Sequence, residues 1–209
     1  MSKKLTAGLL ALALVIAVFI TAGKLDSRSP ADYKTKFFPH LEERSITALI
    51  ITEGETSVKL DKKEGAWMVS KVNSAQDEQG NFAASADRAD EEISCKADSA
   101  SVQIAIEKIV SMKKGDLVSD NPANQSTFEV DSANGISVAV FTSNSGSAAG
   151  ILRIGKTGAD WNSNYVRLMG SNSVYSVGGG LRYSIFSDIE KWREKEVAQE
   201  ERETVEGSD

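Results

Sequence analysis

The longest apolar stretch of the chain comes first. Leu5 to Gly23 carries no charge and only Thr6 and Thr21 as polar members. As a helix, ~19 residues rising ~1.5 Å each reach ~28 Å, close to the ~30 Å hydrocarbon core of a bilayer. The run is longer than the ~7–15-residue apolar region of a cleaved signal peptide, and its exit, Ile20-Thr21-Ala22-Gly23-Lys24, is a weak cleavage site. No cysteine stands at its exit, which argues against a lipoprotein anchor. Residues 1–23 therefore read as an uncleaved signal anchor, a transmembrane helix. Lys3 and Lys4 before it favour an N-terminus in the cytoplasm and a domain in the periplasm or outside.

Beyond the run, polar and apolar positions trade places at shorter periods. Residues 24–44 form a juxtamembrane spacer whose aromatics, Tyr33, Phe37 and Phe38, either meet a membrane interface or partner or pack under the domain. Ile46 to Thr52 is β-branched and short, which predicts a strand. Glu53-Gly54-Glu55 turns into Ser57 to Leu60, and Glu64-Gly65 turns again into Trp67 to Val72, completing a meander. Residues 73–97 are polar and acidic and read as a loop insertion.

Asp98 is a good N-cap. After it Val102, Ala105, Ile106, Ile109, Val110 and Met112 recur at helical spacing, with Lys113 and Lys114 suiting the C-terminal dipole and Gly115 a helix stop. Strands follow: Phe128 to Asp131 and Ile136 to Thr142 as a hairpin about Asn134-Gly135, then Ile151 to Ile154, Tyr165 to Leu168 and Ser173 to Val177. Past Gly178-Gly179-Gly180, the stripe Ile185, Phe186, Ile189 and Trp192 predicts a C-terminal helix. Residues 198–209 form an acidic tail with no apolar face.

The expected fold is α+β. An antiparallel sheet of about seven to eight strands carries one main helix on a face, with a C-terminal helix and the N-terminal transmembrane helix. The extracytoplasmic domain spans 45–197.

Charge narrows the function. A formal −6 repels phosphate backbones and anionic lipid, so nucleic acid is not an expected partner. One cysteine, Cys95, precludes an internal disulfide, and one histidine, His40, leaves no zinc-ligand spacing. Gly150-Ile-Leu-Arg-Ile-Gly155-Lys156-Thr157 matches the phosphate-loop string letter for letter. Its middle is strand-like, however, and a turn follows where a helix should open, so no nucleotide is expected. Asp160-Trp-Asn162-Ser-Asn164 begins like a calcium loop but has Tyr165 where glycine belongs and Ser171 where glutamate belongs; a capped turn is the reading. No catalytic residue, cofactor-binding residue or metal ligand is assigned, and no cofactor is expected.

Several short segments carry a resemblance: Gly65-Ala66-Trp67-Met68-Val69, Ala97-Asp98, Ile154-Gly155-Lys156, Asn164-Tyr165-Val166-Arg167, Val174-Tyr175-Ser176-Val177 and Trp192-Arg193-Glu194-Lys195. In their order and spacing, from about Ile46 to Val197, the chain resembles the bacterial family catalogued as domain of unknown function 4340. The resemblance implies a membrane-anchored extracytoplasmic protein, and some such proteins appear beside ABC-type transport systems like those associated with gliding motility. It supplies no catalytic residues. The chain departs from the family pattern in its long acidic insertion and in holding one copy of a unit that often recurs.

The expectation is a non-enzymatic accessory protein that binds a membrane protein complex, such as an ABC-type permease, or an envelope component. The candidate contacts are Trp161, Tyr165, Phe37 and Phe38. An extracytoplasmic ligand-binding or hydrolytic domain is the alternative, and a structural spacer a weaker third.

Overall fold

A computed structural model describes residues 35–72, 89–143 and 147–195, the side chains of 89–93 excepted. The expected anchor, most of the spacer, residues 73–88 of the insertion and the tail lie outside the described residues. Of the two units into which the chain divides, Met1–Thr35 and Lys36–Asp209, the second holds every element below. Among the described residues no helix is long and apolar enough to cross a membrane.

The strands are β1 (Ile46–Glu53), β2 (Thr56–Lys63), β3 (Ala66–Val72), β4 (Ala89–Lys96), β5 (Asp116–Ser119), β6 (Ile136–Thr142), β7 (Gly150–Thr157), β8 (Ser163–Leu168) and β9 (Val174–Gly178). All join one antiparallel sheet in the order β4-β3-β2-β1-β6-β7-β8-β9-β5. The α+β class and the single main helix are as expected; the sheet has nine strands rather than seven to eight.

The helix α1 (Ser99–Ser111) starts where Asp98 accepts hydrogen bonds from the amides of Ala100 and Ser101. Its buried face, Val102, Ala105, Ile106, Ile109 and Val110, packs on one face of the sheet against Leu49, Ile51, Val58, Leu60, Val138, Leu152 and Ile154. A helix stripe and a sheet face each need an apolar cover, and here each covers the other. The helix ends before Gly115, which was expected to stop it. Gly115 instead enters β5, where a Cβ would sit 1.9 Å from the Ser176 carbonyl oxygen of β9.

Two further expectations are corrected. Phe128 to Asp131 is not a strand, and β6 pairs with β1 and β7 instead. Residues 122–135 form turns that lie against β7 and β8: the Lys156 amide donates to the Phe128 carbonyl, and Arg167 donates twice to the Val130 carbonyl. Asp131 takes up the amides of Ala133 and Asn134, so Asn134-Gly135 closes a capped turn rather than a two-residue hairpin.

The C-terminal helix is also absent from the described residues. Two short 3-10 turns, Leu181–Tyr183 and Ile189–Lys191, carry Leu181, Ile185, Ile189 and Trp192 into the core. The apolar spacing was read correctly, but Ser187 bonds Glu53 and Asp188 caps Glu190, which break the path between the turns.

The sheet has two ends. At the entry end the chain arrives through Lys36 to Glu42, and Ile46, Thr142, Gly150 and Leu168 lie in neighbouring register. At the far end lie the turn 158–162 and the glycines Gly178 to Gly180.

Candidate functional site

The far end exposes a large aromatic. Trp161 is 80% exposed at the tip of the β7–β8 turn and holds φ +60°, a left-handed conformation costly for a bulky L-residue. The turn is locked from beneath. The Asp160 carboxylate accepts from the amides of Asn162 and Ser163 and from the Ser163 hydroxyl, and these bonds hold it below the usual carboxylate range. The Asn162 carbonyl accepts from the amides of Gly179 and Gly180. Tyr183, 73% exposed, packs beside Gly180, where a Cβ would lie 2.9 Å from its ring and 3.9 Å from Asn162 Oδ1. Two exposed aromatics therefore share one corner. Lys108 of α1 ties that corner to the helix by donating to the Gly179 carbonyl.

The other candidate contacts are placed differently. Tyr165 is half-buried, with its ring 4.7 Å from that of Phe128. Phe37 and Phe38 are 5% and 7% exposed and belong to the core. Phe37 sits edge-on to Tyr175 at 5.6 Å, and its amide donates to the Met112 carbonyl. Phe38 lies against Gly150, where a Cβ would come 2.3 Å from its ring. Of the two roles read for these rings, packing under the domain is the one their burial fits; each leaves only an edge open.

Beside them, at the entry end, a groove of about 760 Å³ opens. Phe37, Phe38, Leu41, Ile151, Leu168 and Met169 line it, and the exposed His40 and Glu42 lie at its rim. This volume falls within the ~300–1,000 Å³ range of small-molecule sites.

The family model described as "Domain of unknown function (DUF4340)" matches residues 88–208, more than half of the chain. The chain belongs to this family. No curated protein and no solved structure matches it. In this DUF4340 protein the matched part runs from β4 onward and includes the Trp161 corner. The strands β1 to β3 and the segment Lys36 to Glu42, which also resembled or flanked the family pattern, lie before it.

The phosphate-loop string lies wholly within β7, whose Gly150 to Ile154 pair with β6 and whose Leu152 to Ile154 and Thr157 pair with β8. Its glycines have structural reasons. Gly150 seats Phe38, and Gly155 passes beneath the Phe128 carbonyl, 2.0 Å from where its Cβ would be. Among the described residues no group of three or more His, Cys, Asp or Glu could hold a metal ion.

A buried polar row crosses the sheet face opposite α1. Ser57, Thr52, Ser137, Arg153 and Arg167 occupy consecutive strands β2, β1, β6, β7 and β8 in cross-strand register. All are 9% exposed or less. Burial, and then the neighbouring Arg167, lower the Arg153 guanidinium to about 10. Nothing in the one-dimensional pattern marks this row, because each member stands alone in its own strand.

Proposed function

We propose that this DUF4340 protein is a non-enzymatic, membrane-anchored accessory subunit. It is held in the cytoplasmic membrane by residues 1–23 with its domain outside, and it binds a transport complex of the ABC type or another envelope component. One observation carries the reading: Trp161 is projected into solvent, in a strained backbone, by a turn whose own carboxylate and carbonyl groups hold it there. Backbone strain that the surroundings maintain collects where a protein binds or acts, and exposed Trp is over-represented among residues that dominate interfaces. The second aromatic, Tyr183, widens the patch. It stands at the sheet end opposite the chain's entry, where a tethered domain meets a partner's extramembrane part.

The test is site-specific photo-crosslinking in intact cells, with the probe placed at position 161, at 183, or at Glu64 in an entry-end turn as control. Adducts to the same membrane or envelope protein from 161 and 183, and none from 64, are expected. If 161 yields nothing beyond the control, the interaction reading fails.

The alternative, a ligand-binding domain, is favoured by the apolar groove at the entry end and leads to the inference below.

A further inference from the structure

We infer that the entry-end groove takes the acyl chain of a zwitterionic membrane phospholipid. Its wall is mostly apolar, built from the edges of Phe37 and Phe38 with Leu41, Ile151, Leu168 and Met169, while Ser45, Thr142, His40 and Glu42 bring polar groups to one side. Buried methylenes gain transfer free energy from such a wall, and the flexible thioether of Met169 adapts to a mobile chain.

Main-chain bonding separates an acyl chain from a peptide occupant. A peptide laid in a groove takes much of its affinity from backbone partners. Here four of the amides around the groove are already engaged: Ala149 with the Val140 carbonyl, Met169 with that of Ile151, Leu41 with that of Phe38, and Ser45 with that of Glu42. An acyl chain needs no such partner.

Position and charge supply the source. This part rests on the anchor reading. From Lys24 to Thr35 are 12 residues, which reach at most ~43 Å even when fully extended. The groove therefore lies within reach of the bilayer surface from which the domain would hang. On the exposed segment beside the groove Glu42 and Glu43 are balanced by Lys36 and Arg44, with Arg44 bonded to Glu42 at 2.7 Å, and this even charge fits a zwitterionic headgroup. At the floor, Gly150 leaves room for the edge of the Phe38 ring, which any side chain there would displace.

The experiment uses the full chain, purified into mixed micelles that contain phosphatidylcholine with a photoactivatable acyl chain. After irradiation the adducts are mapped by peptide mass spectrometry. Labelling on Phe37 to Leu41 and on Leu168-Met169 is expected, with the Trp161 turn unlabelled. Ala149→Trp, which fills the groove from an exposed position, should lower that labelling at least five-fold at an unchanged melting temperature. Met169→Glu, which sets a carboxylate in the wall, should do the same. Labelling that is absent, spread evenly, or unchanged in the variant that melts like the parent overturns the proposal. So does an intact-cell crosslinker at Leu41 that captures a polypeptide in place of lipid. Micelles present the lipid whether or not the chain is anchored. A chain that resists carbonate extraction but leaves its groove unlabelled thus sinks the groove alone, and a labelled chain released by carbonate sinks the anchor alone.

Discussion

Gly155→Ala tests most directly why a phosphate-loop string occurs in a strand. Gly155 has no left-handed backbone, so only space is at issue. An added Cβ would sit 2.0 Å from the Phe128 carbonyl oxygen, 2.7 Å from Val130 Cγ1 and 3.1 Å from the Glu129 carbonyl oxygen. Two of these three are backbone atoms, held by the Lys156 amide on Phe128 and by Arg167 on Val130, so they cannot yield as a flexible side chain would. Forcing a methyl into a packed interior costs ~1–3 kcal/mol, and rigid backbone places this case near ~3. At ~2–4 °C per kcal/mol for a chain of this size, the melting temperature should fall by about 6–12 °C. Gly170→Ala is the matched control. Gly170 has φ +80° and nothing within 4 Å of its added Cβ, so only the left-handed strain of ~1 kcal/mol applies, or about 2–4 °C. The assay is thermal unfolding of the purified chain followed by tryptophan fluorescence in mild detergent. Gly155→Ala melting within 2 °C of the parent, or above Gly170→Ala, would refute the packing account and reopen the question of why that glycine is there.

Trp161→Gly should relieve left-handed strain of ~1–2 kcal/mol against an entropic cost of ~0.5–1 for glycine, so the chain should melt about 1–3 °C higher while far-end crosslinking is lost; a lower melting temperature would show that the indole supports the fold. Asp98→Ala should remove the cap of α1 and destabilise by ~1 kcal/mol. The Ser101 hydroxyl and the two capping amides hold the Asp98 carboxyl below its usual value, so its stabilisation is present above pH ~4 and is lost as pH falls through the lower folded-state value; Asp98→Asn should flatten that acid limb in a pH series of melts. Arg182→Met should cost ~1–2 kcal/mol in the same assay, because it loses both the half-buried pair to Glu53 at 2.6 Å and the bond to the Gly155 carbonyl.

The elements that were legible in the sequence are those whose signal is local. α1 declared itself by an N-cap and a 3.6-residue stripe, and β1 to β3 by β-branched runs between Gly turns. β4 hid in the acidic stretch because an edge strand bonded along one side needs little apolar content, and β5 was too short to show a period. The supposed strand at Phe128 failed because its carbonyls are claimed by Arg167 and Lys156 from distant strands. The C-terminal stripe gave the right buried residues and the wrong backbone. At the candidate sites, an exposed Trp between Asp and Asn was visible as a capped turn. Tyr183 as its neighbour was not, since only the Asn162 carbonyl, reaching Gly179 and Gly180, brings the two together. The groove needed the fold to exist, because its walls come from residues more than a hundred positions apart.

β7 connects these observations. Its eight residues span roughly 23 Å at ~3.3 Å per step; Gly150 to Ile154 pair with β6, and the register to β8 shifts between Ile154 and Thr157, at Gly155. At one end Gly150 admits Phe38 and thereby forms the groove floor. Five residues on, Gly155 admits the turn segment that covers the opposite face, and the strand then runs into the turn that holds Trp161. The turn that holds Trp161 and the groove thus stand at the two ends of one strand. The adaptor proposed above would use both ends of this strand, the groove toward lipid and the Trp161 turn toward a partner, so loss of one binding should leave the other intact.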